Sequence, residues 1–124
     1  YLDAAKRLAA FLMSDLAAQG GGFLASTPDP NAVGVLAERR VPFEDNVMAV
    51  RFLARLAHIA DDASAQPYRV AIAGTLAAIG TREAIGERGR MVGDLLLAIE
   101  ETRDLVRMPA QGRSTAMAMS EPRE

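Results

Sequence analysis

The residues best suited to chemistry lie between positions 44 and 58: Glu44, Asp45 and Asn46 together, then Arg51, Arg55 and His58 at seven, four and three residues from one another. Two carboxylates beside an amide can hold a hydroxyl-rich ligand. They do not make an acid/base pair, because catalytic carboxylates oppose each other about 5 to 10 Å apart across a substrate, whereas helical neighbours point about 100° apart. The simpler role for all three is helix capping and dipole compensation. Arg51 and Arg55 can bind an anion or form a solvated, ion-paired strip. His58 titrates near neutrality, yet a His near a helix C-terminus commonly serves the last carbonyls instead. No nucleophile stands with a base, so no catalytic residue is assigned.

Other motifs carry less. Gly20-Gly21-Gly22 lacks the Lys-Ser or Lys-Thr of a phosphate loop, and Gly86-x-x-Gly89 lacks the strand a dinucleotide fingerprint requires. Arg39-Arg40 is too short for a nucleic-acid patch, and Met108, Met117 and Met119 are too scattered for a metal box. The chain has no Cys and one His, which excludes a disulfide frame and a self-sufficient zinc site. We expect no metal and no cofactor.

The elements that must position these residues read as helices. Leu2, Ala5, Leu8, Ala9, Leu12 and Leu16 recur at helical steps, predicting a helix over 2–18 that Gly20-Gly21-Gly22 ends. Phe23 to Ala25 suggests an extended segment, an arm of a small hairpin with Val33 to Leu36. Thr27-Pro28-Asp29-Pro30-Asn31 is a turn by composition. Pro42 opens a second helix over 43–60, apolar round most of its circumference and hence an inner helix, with Glu44, Arg51, Arg55 and His58 as its polar strip.

Pro67 is placed for the first turn of a third helix ending near Ile79, with Tyr68, Ile72, Leu76 and Ile79 on one face and Ala71, Gly74 and Ala78 on a small-residue face. Thr81 caps a fourth helix to about Arg103, with Ile85, Val92, Leu95, Leu96 and Ile99 inward and Gly86 to Gly89 a point of irregularity or close packing. Its wet face offers Glu87, Arg90 and Asp94 as ion-pair partners. From Met108 onward no period remains. The expected division is a helical-hairpin domain over 1–107 and a flexible tail over 108–124.

The 124 residues suffice for one core. Half are hydrophobic but only 5% aromatic, an Ala-rich balance that favours helix, so the fold class is all-α. With 14 Lys and Arg against 16 Asp and Glu, the net charge of −2 supplies no field for a phosphate backbone, and nucleic acid is not an expected partner. No apolar run reaches membrane-spanning length, so a soluble, cytoplasmic chain is expected with no membrane partner. The sequence opens on Tyr1 rather than Met, which suggests a chain cut or processed from a longer one.

A helix followed by Gly20-Gly21-Gly22-Phe23, a Thr-Pro-Asp turn, Arg39-Arg40-Val41-Pro42-Phe43-Glu44-Asp45-Asn46 opening an apolar helix, and Tyr68-Arg69 in the next one resembles a known pattern. It is similar to the C-terminal helical part of the thioredoxin-domain-containing family formerly of unknown function, and through it to N-acylglucosamine 2-epimerase-like (α/α)6 toroids. The resemblance covers about residues 1–106. It implies antiparallel helical hairpins, about two of the six in a ring, with a short β-like excursion after the first helix. It also implies that loops at the ends of inner helices line a cavity, which makes Glu44, Asp45, Asn46, Arg51 and His58 the candidate ligand-binding residues. The paired His of the sugar epimerases cannot be assembled from one His.

Two functions follow as expectations. One is a non-catalytic C-terminal segment of a thioredoxin-domain-containing six-hairpin toroid, contributing to a cavity for a carbohydrate or other small molecule. The other is a self-contained helical module for dimerisation or protein interaction. Partners are accordingly the rest of a parent chain or a second copy, in a homo-oligomer, with a sugar-like molecule as possible ligand.

Overall fold

The structure, a computed structural model, describes residues 1–38 and 40–119, with backbone only for 36 and 107–119. Arg39 and residues 120–124 of the expected tail lie outside the described residues. Five α-helices carry the chain: α1 (Leu2–Asp15), α2 (Phe43–Ile59), α3 (Asp62–Ile79), α4 (Arg82–Arg88) and α5 (Gly93–Met119), with a 3-10 turn at Gly34–Ala37. The all-α class therefore holds. No described helix is long and apolar enough to cross a membrane.

The core is organised around α2, which packs against α3, α5 and, more lightly, α1. Pro42, extended at φ −71° and ψ 135°, delivers the chain to the helix, and Glu44 and Asp45 occupy its first turn. Phe43, Asn46, Val47, Val50, Leu53, Ala54, Leu56 and Ala57 are all buried, as an inner helix requires. Two residues, Ala60 and Asp61, separate α2 from α3.

The α3 helix starts earlier than the sequence suggests. Asp61 caps it by accepting from Ser64 N at 2.7 Å, and Pro67 is carried inside the helix rather than in its first turn. That hydrogen bond holds the Asp61 carboxyl below its usual pKa, with the Lys6 charge a lesser contributor. Sequence reading took the proline as the stronger start signal; the Asp-x-x-Ser cap outweighs the one backbone bond that Pro67 removes.

The expected fourth helix is two helices. Thr81 caps α4, accepting from Ala84 N at 3.2 Å, but Gly89 takes φ +57° and the chain turns before α5 begins at Gly93. The break resets the helical phase. The inward face of α5 is Leu95, Ala98, Thr102 and Leu105, while Leu96 is 60% exposed, and Ile99 and Ile85 are also exposed rather than inward. Arg90 falls in the break, and its expected pairs with Glu87 and Asp94 do not form among the described residues. The α5 backbone continues past Arg103 to Met119.

The glycine triplet is not the stop of α1, which ends at Asp15 with Leu16 beyond it. Instead Leu16 to Leu24 folds back on itself. Ala18 N donates to Gly22 O at 2.9 Å and Leu24 N to Leu16 O at 2.7 Å, pairing Ala17 antiparallel with Phe23. Phe23 thus pairs with Ala17 rather than with Val33 to Leu36, whose place is taken by the 3-10 turn. The Asp29 turn forms as expected, its side chain accepting from Asn31 N and its carbonyl from Ala32 N. The inward side of α1 is Ala5, Ala9, Leu12, Met13 and Leu16, whereas Leu2 and Leu8 face out.

The fold-back docks on the small-residue face of α3. Gly21 has φ +95°, and a Cβ there would meet Gly74 O at 2.5 Å and Ala78 Cβ at 3.4 Å. Small residues on α3 thus admit a loop rather than a neighbouring helix. Gly21→Ala is expected to cost about 2 kcal/mol or more, combining positive φ with a backbone clash, and Gly20→Ala, with open space at its Cβ, less than about 0.5 kcal/mol. Denaturant unfolding of both variants checks this; equal effects would contradict the docking.

Candidate functional site

The structure separates the five candidate ligand residues into three settings. Glu44 and Asp45 are exposed at the start of α2, Asn46 is turned inward, and Arg51 and His58 lie further along the helix. Glu44 and His58 are fourteen residues apart, about 21 Å along the axis, too far for one small ligand.

Asn46, 1% exposed, has every useful polar atom engaged. Its Oδ1 accepts from Phe23 N at 2.6 Å, while Nδ2 donates to Phe23 O at 2.9 Å and Pro42 O at 2.7 Å. The pairing with Ala17 explains why. Its two hydrogen bonds flank the Ala17–Phe23 pair, so the N–H and C=O of Phe23 itself point to the opposite side, and the Asn46 amide meets them as a further strand would. Its geometry is that of a clamp.

Glu44 accepts from Arg88 Nη1 at 2.6 Å, and the Arg88 guanidinium lies 4.8 Å from the centre of the Phe43 ring. Arg88 Nε is buried with no hydrogen-bond partner. This ties α4 to the start of α2 and forms one wall of a recess of about 640 Å³, lined among others by Arg40, Phe43, Glu44, Ala78, Glu87 and Arg88. Charged groups rim it above an apolar floor.

Arg51 makes a two-pronged ion pair with Glu101 of α5, Nε to Oε2 at 3.0 Å and Nη2 to Oε1 at 3.2 Å. That bonding raises the guanidinium pKa further above its ordinary value, with the Glu101 and Asp94 charges adding to it. Of the two roles open to Arg51, ion pairing is the one seen. His58 Nδ1 sits 2.6 Å from Ala54 O, and because a carbonyl only accepts, that nitrogen carries a proton. Arg55 and His58 border a shallow hollow of about 300 Å³ beside Glu101. Asp45 and Arg55 are exposed and join no ion pair among the described residues.

Sequence reading missed the partners: Phe23 for Asn46, Arg88 for Glu44 and Glu101 for Arg51. Each lies 23 to 50 residues away, beyond any local spacing rule. Comparison with known protein families, curated proteins and solved structures finds no match for this chain.

Asn46→Ala removes three hydrogen bonds and strands the N–H and C=O of Phe23 in a buried place. We expect a loss of about 2 to 4 kcal/mol in equilibrium unfolding. A change below about 0.5 kcal/mol would show that the amide does not hold the loop.

Proposed function

We propose that the chain is a non-catalytic helical packing module, which works by burying the open sides of its helices against further protein. The observation that carries this reading is that exposed apolar side chains come in stripes at helical spacing on three helices. On α1 they are Leu8 and Phe11, 52% and 41% exposed; on α5 they are Leu96 and Ile99; on α2 Met48 and Ile59 stand out at 59% and 67%. Isolated exposed apolar residues are ordinary, whereas stripes of them mark interaction surfaces.

The further protein is the rest of a six-hairpin toroid of the thioredoxin-domain-containing kind, or a second copy of the chain. Supporting the toroid form are the order of a helix, an excursion and a buried helix, and the resemblance of 1–106. The recess of about 640 Å³ favours a contribution to a small-molecule cavity in that setting, for a sugar-like ligand, because it sits at the N-terminal end of the buried helix. Glu44 is the candidate side chain within it.

Dye that fluoresces on apolar surfaces is expected to bind the folded chain. Replacing Leu8, Phe11 and Leu96 together by Gln should lower that binding severalfold while changing stability by less than about 1 kcal/mol in all, since exposed positions contribute little to the isolated fold. No dye binding by the unaltered folded chain would overturn the packing reading.

A further inference from the structure

The solvent-facing strip of α2 carries a charge order that matches itself. At about 100° per residue, Glu44, Asp45, Met48, Phe52, Arg55 and Ile59 fall within one sector of about 100°. Met48 and Ile59 are largely exposed, Phe52 is half-buried, and Asp45 and Arg55 are exposed without an ion-pair partner among the described residues. Acid lies at the N-terminal end of the strip and base toward the C-terminal end. Reversed, the strip is its own complement.

We infer that this strip is the contact between two copies of the chain, packed as antiparallel α2 helices about a twofold axis. The inference rests on the packing reading above and names its partner. In a twofold antiparallel pair the numbers of facing residues share one sum. A sum of 100 sets Asp45 opposite Arg55, Met48 opposite Phe52, and Val41, itself on the surface, opposite Ile59. Both charge pairs and both apolar pairs are satisfied at once. A shift to a sum of 103 would set Met48 against Arg55 and Glu44 against Ile59, which wastes both kinds of contact.

The surroundings suit this register. Arg55 stands as a ridge between two hollows, one of about 300 Å³ beside Glu101 and one of about 320 Å³ where Phe52, Leu56 and Ile59 meet Tyr1, Leu2 and Ala5 of the first helix. Met48 and Val41 of the second copy would enter the latter, while its Asp45 meets the ridge. The antiparallel alignment also places each acidic helix start beside the other helix's negative end only through Arg55 and His58, whose charges relieve it. Two acidic residues and two basic ones per copy make the contact neutral without any other partner.

Sedimentation of the whole chain at tens of micromolar is expected to show a dimer. Asp45→Arg and Arg55→Asp should each weaken it by about tenfold or more, because each sets like charges opposite one another. Mixing the two variants should restore association, since every 45–55 pair across the mixed contact is again opposite in charge. Circular dichroism confirms that each variant is folded, and if Asp45→Arg loses helix, Asp45→Asn with Arg55→Gln serves, both expected to weaken the dimer. Association unaffected by either charge change, or not restored on mixing, would overturn the α2 contact and leave the packing reading in place. A monomer that still binds apolar-surface dye would overturn only the second copy as partner, and a monomer that binds none would overturn both.

Discussion

One amide, that of Asn46, joins the parts of this fold that have no other reason to meet. The α2 helix supplies the buried axis, yet the chain between α1 and α2 is a long irregular excursion whose backbone groups need partners. Phe23 is where that excursion enters the core, 6% exposed, and its N–H and C=O are met by the Asn46 side chain. Because Asn46 also bonds Pro42 O, the same amide fixes the entry of α2. The Gly21–Gly74 approach then needs no further force. Once Phe23 is held, the glycine tip has only one place to lie, and α3 offers a surface without side chains there.

Much of the helical order was legible. The buried circumference of α2 and its start at Pro42-Phe43-Glu44-Asp45 follow from local pattern, since periodicity and first-turn chemistry are properties of neighbours. The expectations that failed depended on distant groups or on a choice between local signals. Gly20-Gly21-Gly22 reads as a helix stop because a C-cap and a turn tip demand the same positive φ; only the Ala17–Phe23 pairing tells them apart. Gly89 was seen as a point of irregularity, but its turn shifted the phase of everything after it, exchanging Leu96 and Ile99 for Ala98 and Thr102 on the inward face.

The polar residues of α2 illustrate the same limit. Glu44, Asp45 and Asn46 are adjacent in sequence and divergent in space, so one clamps a loop, one pairs with Arg88 and one stays in solvent. Arg51 and Glu101 hold α2 to α5 through two hydrogen bonds. Much of the charge suited to chemistry is thus engaged between helices. What remains free on α2, Asp45 and Arg55 among its charges and Met48 and Ile59 among its apolar side chains, is the equipment of a contact surface.

Native-state hydrogen exchange, followed amide by amide, tests the central role of Asn46 most directly. The N–H of Phe23 lies outside any helix, so local structure alone would let it exchange quickly. The account predicts that it exchanges in the slowest class, together with Val47, Val50 and Leu53 in the buried part of α2, because freeing it requires opening the core. A Phe23 amide exchanging as fast as those of the 27–31 turn, while the α2 amides stay protected, would contradict it.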